Sequence, residues 1–528
     1  MSFVTNAISA SLEIIYGVCV VALALYGFHN LWLCTNYRTR PKRQTQPGGI
    51  GDLAADDANG KYPKSDYPSV TIQLPIYNEQ HVAERLIKAC AQLDYPHEKL
   101  QIQVLDDSDD STTALIYATA QNLQPLGLHV EVVRRDNRTG YKAGALAHAL
   151  PLATGDFIAI FDADFVPPKD FLRRTMPYFM DSSNARVGFV QARWGHLNRT
   201  YSWLTRCQAL ALDGHFVVEQ SARDRSGYPF GFNGSAGIWR RACIEDPTVG
   251  GWQPDTLCED LDLSYRAQMA GWRGLYDGTI EVPAEVPVQL LAFKRQQFRW
   301  AKGTIQTLRK LSGRVAHHAA WPLVTRVAAF AHLSSYLIHP LLLLMLLVTL
   351  PMMLWDIDPA RPLAYLSLFS LGPPILYATA QQHLTPRHWL RRWVWLPLLM
   401  LLGTGLTVNN TLAVYQGFNQ RGGAFLRTPK FNIDQEHQQW QHSGYQLALQ
   451  PMVMAEIAFC LYAIVAIIVA INQGHYGAVP FLAIYASGFG LMVSAELWQA
   501  WQRHIGQATL RRQHERSRLQ TEADRAQG

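Results

Sequence analysis

Two acidic clusters follow β-rich apolar runs: Gln101-Ile-Gln-Val-Leu105 leads straight into Asp106-Asp107, and Phe157-Ile-Ala-Ile-Phe161 leads straight into Asp162-Ala163-Asp164. Carboxylates at the carboxyl ends of parallel strands lie in the crevice where such sheets bind ligands. Either cluster alone reads equally well as an acidic turn closing a strand; two in one chain favour a site. Clustered carboxylates repel unless a cation lies between them. A hard ion such as Mg²⁺ typically takes one or two carboxylates and completes its shell with substrate phosphates, so Asp-x-Asp after a strand points to a metal-bridged nucleotide diphosphate. The chain has no G-x-x-x-x-G-K-[ST] loop and no G-x-G-x-x-G after a strand, which removes the best signals for ATP hydrolysis and NAD chemistry.

The elements that must carry these carboxylates alternate. Runs 69–75, 101–105, 129–133 and 157–161 predict strands, and stretches 79–93, 112–123 and 142–150 between them predict helices. That order implies an α/β fold, an open parallel sheet with helices on both faces. Residues 37–67, glycine-rich and polar, predict a linker ahead of it. The seven cysteines form no C-x-x-C pair and are odd in number, so neither a disulfide framework nor a zinc cluster is indicated.

The 528 residues exceed one hydrophobic core, and 17% charged residues against 48% apolar ones is low for a soluble chain. Part of the chain should therefore lie in lipid. Residues 14–33 are long enough for one crossing, and Arg38, Arg40, Lys42 and Arg43 after them place that end in the cytoplasm. Apolar stretches return at 327–354, kinked by Pro340, and at 363–380, 395–406, 451–471 and 479–498. Five further crossings would leave the basic tail 503–528 outside, so the short run 395–406 is demoted and 394–418 is predicted to be interfacial or re-entrant. The expected layout is one crossing (1–36), a cytoplasmic domain (68–312) ending in an interfacial helix (290–312), then about four crossings within 313–502. The net charge of +6 is spread without a basic stripe, which argues against nucleic acid as a partner.

Seven motifs then occur in order: Leu74-Pro-Ile-Tyr-Asn-Glu79, Leu105-Asp-Asp-Ser108, Tyr141-Lys-Ala-Gly144, Phe161-Asp-Ala-Asp164, Phe232-Asn-Gly-Ser235, Cys258-Glu-Asp260 and Gln296-Gln-Phe-Arg-Trp300. Together they resemble the processive inverting glycosyltransferases of family 2, the cellulose-synthase superfamily, and look most similar to its mannan and xyloglucan-backbone glucan synthases. The resemblance implies a GT-A-type, Rossmann-like domain with a mixed, mostly parallel sheet, set between transmembrane helices. It implies that Pro75, Tyr77 and Glu79 border the nucleoside, that Asp107 binds its base side, and that Lys142 meets the diphosphate. Asp162 and Asp164 would hold Mg²⁺ or Mn²⁺, and Asp260 would be the general base. Glu259, Phe232, Asn233 and Gly234 would face the acceptor. Cys258 stands where that family usually carries Thr. Read without the resemblance, Lys142 is better taken as a solvated cation opening a helix, and the acids at 259–260 also suit a helix N-terminus.

Gln296 and Trp300 are one helical turn apart and share a face with Arg299. The resemblance gives Gln296 and Arg299 to the donor diphosphate and Trp300 to the acceptor sugar; an interfacial anchor has the same composition. Phe425-Leu-Arg-Thr-Pro-Lys430 is similar to the gating loop of cellulose synthases, which implies that Thr428 and Lys430, within a loop 419–445, touch the donor. The same six residues also suit an ordinary basic loop beside the membrane.

The expected activity is polymerisation of a hexose from a nucleotide sugar, UDP-glucose favoured, into a β-glucan moved across the plasma membrane. A GDP-mannose-dependent mannan or glucomannan synthase is the alternative, and a non-processive glycolipid transferase the next. Periplasmic partners or further copies of the chain leave no signature.

Overall fold

The computed structural model describes residues 2–41, 67–358, 362–433, 440, 447 and 449–527. Most of the expected linker 37–67 and part of the loop 419–445 lie outside the described residues. A seven-stranded sheet forms the centre of the domain: β1 (Val70–Ile76), β2 (Leu100–Asp106), β3 (His129–Val133), β4 (Phe157–Ile160), β5 (Val187–His196), β6 (Gly237–Arg240) and β7 (Arg273–Ala284). Their spatial order is β3-β2-β1-β4-β6-β5-β7. β3, β2, β1 and β4 are mutually parallel, β6 is antiparallel to both β4 and β5, and β5 pairs parallel with β7. The sheet is thus mixed and mostly parallel, as the resemblance implied, with β6 alone entered from the opposite direction.

β1, β2 and β4 are covered on both faces, by one cluster around Ile72, Leu74, Ile102 and Phe161 and another around Ile158, Ile160 and Leu146. β4 accordingly reads as a continuous apolar run, Phe157-Ile-Ala-Ile160, while β1 and β2 carry Thr71, Gln73, Gln101 and Gln103 among their apolar residues. The interrupting polar residues are buried and paired across the strands. Thr71 donates to Gln101 (2.7 Å), Gln73 to Gln103 (3.1 Å) and Gln101 to Glu131 (3.0 Å), so these polar side chains pair with one another across the strands.

Register also sets what emerges at the carboxyl edge. Ile76 pairs with Asp106, so Tyr77 leaves β1 beside the point where Asp107 leaves β2, and the Asp107 N–H donates to the Ile76 carbonyl (3.0 Å). β4 stops at Ile160, opposite Gln73, and Asp162 to Asp164 lie alongside. β6 begins opposite Ile160, which brings the preceding residues 233–235 to the same edge.

Among the described residues five helices are long and apolar enough to cross a membrane: Asn6–Thr39, Ser335–Leu354, Pro362–Leu384, Met452–Asn472 and Tyr476–His504. Trp389–Gly405 and Thr407–Asn419 form a pair bent by 47° within the stretch expected to be interfacial or re-entrant. Ile14, Val18, Leu25, Leu461 and Ile468 are exposed on the spans. Such surface is costly against water and satisfied by hydrocarbon, so the helices fit a lipid bilayer. The stretch 327–354 is two helices, Leu323–Leu333 and Ile338–Leu354, parted by a tight turn at Ser335–Leu337. Pro340 therefore does not kink a long helix. It lies in the first turn of the second, where its missing N–H breaks no bond.

Candidate active site

One cleft opens at the carboxyl edge of β1, β2 and β4. Pro75, Tyr77, Glu79, Asp107, Lys142, Asp162 and Asp164 line it from the sheet side, and Asn233, Gly234, Glu259 and Asp260 face them. Gln296, Arg299 and Trp300 enter from the helix Leu290–Ala316, and Thr428 and Lys430 from the irregular segment that follows Thr407–Asn419. Phe232 does not line the cleft. It is buried in the core, with its ring 5.3 Å from Trp239 and 6.0 Å from Phe189. Its acceptor-facing placement is therefore corrected, since neighbours in an extended chain point to opposite faces and only Asn233 turns to the cleft.

The base of the site is an arginine–aspartate lattice that sequence reasoning missed. Arg135 grips Asp107 with two hydrogen bonds (2.8 and 2.6 Å) and donates to the carbonyls of Thr139 (2.6 Å) and Tyr141 (2.7 Å). Arg134 pairs with Asp106 at 2.5 Å. Forked guanidinium–carboxylate pairs fix direction as well as charge, so Asp107 positions the turn that delivers Lys142. The signal was present: Arg134-Arg135 follows β3 directly and Asp106-Asp107 ends β2, on strands paired Leu105 to Val133. Arg138, also missed, lies over the Tyr77 ring with its guanidinium carbon 3.2 Å from the centroid.

Lys142 Nζ lies 2.5 Å from Asp162, donates to the Gly234 carbonyl (2.8 Å) and stands 4.0 Å from Glu259. Burial lowers its pKa, but Asp162 and Glu259 outweigh that and hold the ammonium above its ordinary value. Lys430 lies 2.5 Å from Asp164. Each aspartate of the Asp-x-Asp pair thus faces a lysine. Among the described residues no three His, Cys, Asp or Glu side chains are grouped to hold a metal. An ion on Asp162 and Asp164 would draw its remaining oxygens from a diphosphate, a donor set that suits Mg²⁺ or Mn²⁺. Among the described residues the buried Thr428 hydroxyl has no hydrogen-bond partner, which leaves a donor for that ligand.

Asp260 sits in the first turn of the helix Glu259–Met269 and accepts from the Leu261 N–H (2.8 Å). Burial, and then the neighbouring Glu259 carboxylate, push it up to about 7, against the pull of Lys142. Burial also raises Glu259, and pushes Glu79 up to about 8. Gly234 has φ +78°, and a Cβ there would stand 2.8 Å from Asp260 Oδ2, so only glycine lets the loop pass this close. Cys258 borders the cleft beside Glu259, and its side chain packs against the helix Leu290–Ala316. Its thiol lies 3.8 Å from the Trp300 carbonyl, and a Cβ on Gly303 would be 2.5 Å from its sulfur, so residue 258 acts as packing between two helices.

Phe425 lies under the Arg299 guanidinium (4.3 Å to the ring centroid) and stacks against Tyr141 at 6.1 Å, closing the cleft's mouth. The cleft can therefore hold a diphosphate among Lys142, Arg299 and Lys430, with a carboxylate near neutrality across from it and a flat indole alongside.

Residues 68–303 match the family model described as glycosyltransferase like family 2. Glucomannan 4-beta-mannosyltransferase 2 of Arabidopsis thaliana is 38% identical over 295 residues, covering 54% of this chain and 54% of its own length. Probable glucomannan 4-beta-mannosyltransferase 7 of Oryza sativa subsp. japonica is 42% identical over 262 residues, 49% of this chain and 44% of its own. The chain thus spans about half the length of the curated relatives it matches. Among solved structures, the mannosyltransferase PcManGT from Pyrobaculum calidifontis, in complex with GDP-Man and Mn²⁺, aligns with a TM-score of 0.50 at 20% identity over 77% of this chain and 99% of its own, a likeness of fold. With the sheet, the cleft and the match over these residues in agreement, residues 68–303 are a glycosyltransferase 2-like domain of the GT-A type, flanked by several apolar helices.

Proposed function

We propose that this chain is a membrane-embedded, processive, inverting β-glycosyltransferase that takes mannose from GDP-mannose and builds a β-mannan or glucomannan. The expectation of UDP-glucose gives way to its alternative, because the curated relatives named above are glucomannan 4-beta-mannosyltransferases. The observation that carries the reading is the placement of Asp260 in one cleft with Asp162, Asp164 and Trp300.

In this mechanism the acceptor's hydroxyl, stacked beside Trp300, gives its proton to Asp260 as its oxygen attacks the anomeric carbon. The bond from that carbon to the diphosphate breaks with its electron pair leaving on GDP, and attack from the opposite face turns an α-linked donor into a β-linked product. Lys142, Arg299 and Lys430 meet the charge that grows on the departing oxygens. A divalent ion on Asp162 and Asp164 would supply further electrostatic stabilisation there. The product is hydrophilic and cannot cross hydrocarbon unaided, which supports a role for the flanking helices in passing it through a plasma membrane with the catalytic domain on the cytoplasmic side.

The test is to give the purified full-length protein GDP-mannose or UDP-glucose, each with Mg²⁺ or Mn²⁺. A polymer from GDP-mannose that β-mannanase digests is the expected result; incorporation from UDP-glucose alone, or a product wholly extractable into organic solvent, overturns it. Trp300→Ala is expected to raise the acceptor concentration needed for half-maximal rate about tenfold, from the loss of about 1.5 kcal/mol of stacking, and to shorten the product. Donor affinity measured by nucleotide binding should move far less; its collapse with normal chain length would remove the stacking role.

A further inference from the structure

Residues 421–433 form neither helix nor strand, yet they supply Phe425, Arg427, Thr428 and Lys430 to the cleft. A donor must enter and a nucleotide must leave past this segment at every turnover, so something has to return it to the same seat. Its far end is held by one carboxylate. Glu285, in the residue after β7, has a side chain only 1% exposed and does not line the cleft. One of its carboxylate oxygens accepts from the Phe431 N–H (2.9 Å) and the other from the Ile433 N–H (3.3 Å). Its carbonyl oxygen accepts from Lys430 Nζ (2.5 Å), the same ammonium that meets Asp164.

Two features make this grip specific. Asn432 has φ 59°, a left-handed turn that lets the N–H groups on either side of it converge on one carboxylate. Arg85 lies 3.9 Å from Glu285 and donates to the Asn432 side chain (2.5 Å), so it ties both halves of the contact. Ile433 below is buried against Val288 and Trp440. A buried carboxylate is costly unless its lone pairs are satisfied and its charge is opposed. Glu285 meets both conditions chiefly with groups from the segment itself, and its removal would orphan two N–H groups there.

We propose that Glu285, supported by Arg85, is the anchor that seats residues 428–430 over the donor, a positioning residue acting through Thr428 and Lys430. The proposal rests on the donor site proposed above. If the anchor sets the fraction of molecules with the segment seated, apparent donor affinity falls in proportion to that fraction, while saturating donor draws the segment back.

For Glu285→Ala the expected result is therefore a donor KM raised about tenfold with kcat lowered less than threefold, and hydrogen exchange at least tenfold faster in the peptide spanning 425–433. Asn432→Gly keeps the left-handed turn and removes only the Arg85 contact, so it is expected to shift both readouts the same way by about threefold. A fall in kcat at unchanged KM, with exchange in 425–433 rising no more than in the rest of the protein, overturns the anchor, since that is the signature of a lowered folded fraction. Exchange reports without turnover: faster exchange in both variants, in a protein that transfers from neither GDP-mannose nor UDP-glucose, supports the anchor and sinks the transferase reading instead.

Discussion

Asp260→Asn is expected to lower glycosyl transfer by about 10³-fold while nucleotide binding survives, the range lost when a positioned general base is removed. The substitution is nearly isosteric, and the new carboxamide oxygen can still accept from the Leu261 N–H, now at 2.8 Å. Folding should not suffer either. The folded-state carboxyl, pushed up to about 7, lies above the ordinary value of about 4. Its ionised form therefore costs stability from about pH 4 upward, and a neutral amide removes that cost, so the melting temperature should hold or rise slightly. The wild-type rate should climb with pH through about 7, because the base works only when deprotonated. Glu259 is the second cause of the raised value, so Glu259→Gln should move the acid limb to lower pH. Turnover of Asp260→Asn within threefold of wild type, in a protein of normal melting temperature, would exclude the carboxylate as base.

What the sequence made legible follows the physics of burial. β1, β2 and β4 could be read because both their faces are covered, and Asp107, Asp162 and Asp164 because they stand where such strands end. β6 could not be read. It has four residues, too few for a period, and its place is decided by pairing Ile160 with Gly237 across 77 positions of chain. That single antiparallel insertion is also what brings Gly234 within reach of Lys142. Phe232 was misplaced because a motif gives proximity along the chain and not the direction of each side chain. Arg135 drew no reading, although the opposed pairs Asp106-Asp107 and Arg134-Arg135 carried the signal. The break before Pro340 was read as a kink because composition is apolar on both sides of it, and only the backbone bonds of 334–337 separate two helices from one. Glu285 was invisible for a different reason: its partners lie about 145 residues ahead in a segment with no periodicity at all.

Lys294→Met is expected to destabilise the protein by about 3–5 kcal/mol. Lys294 belongs to the helix Leu290–Ala316, is 3% exposed, and meets Glu456 of Met452–Asn472 at 2.5 Å and Glu496 of the last helix. Both glutamates are fully buried, and the second oxygen of each has no partner among the described residues. Replacing the ammonium by an apolar chain of similar size strands two carboxylates away from water, and breaking a buried pair from one side costs about that much. Glu456→Gln or Glu496→Gln should cost far less, because the remaining carboxylate still opposes the lysine. The triple variant Lys294→Met, Glu456→Gln, Glu496→Gln, which removes every charge, should recover most of the loss. Thermal unfolding in detergent reads all four variants against wild type; equal melting temperatures for wild type and Lys294→Met would show that the cluster carries no such strain. The cluster also bears on chemistry. Lys294 precedes Gln296, Arg299 and Trp300 by less than two turns, so it fixes the depth at which that helix enters the cleft relative to the last two spans. Variants that keep the fold but loosen this contact should therefore lose elongation before they lose nucleotide binding, since Trp300 rides on this helix whereas Lys142 and Lys430 reach the donor from other elements.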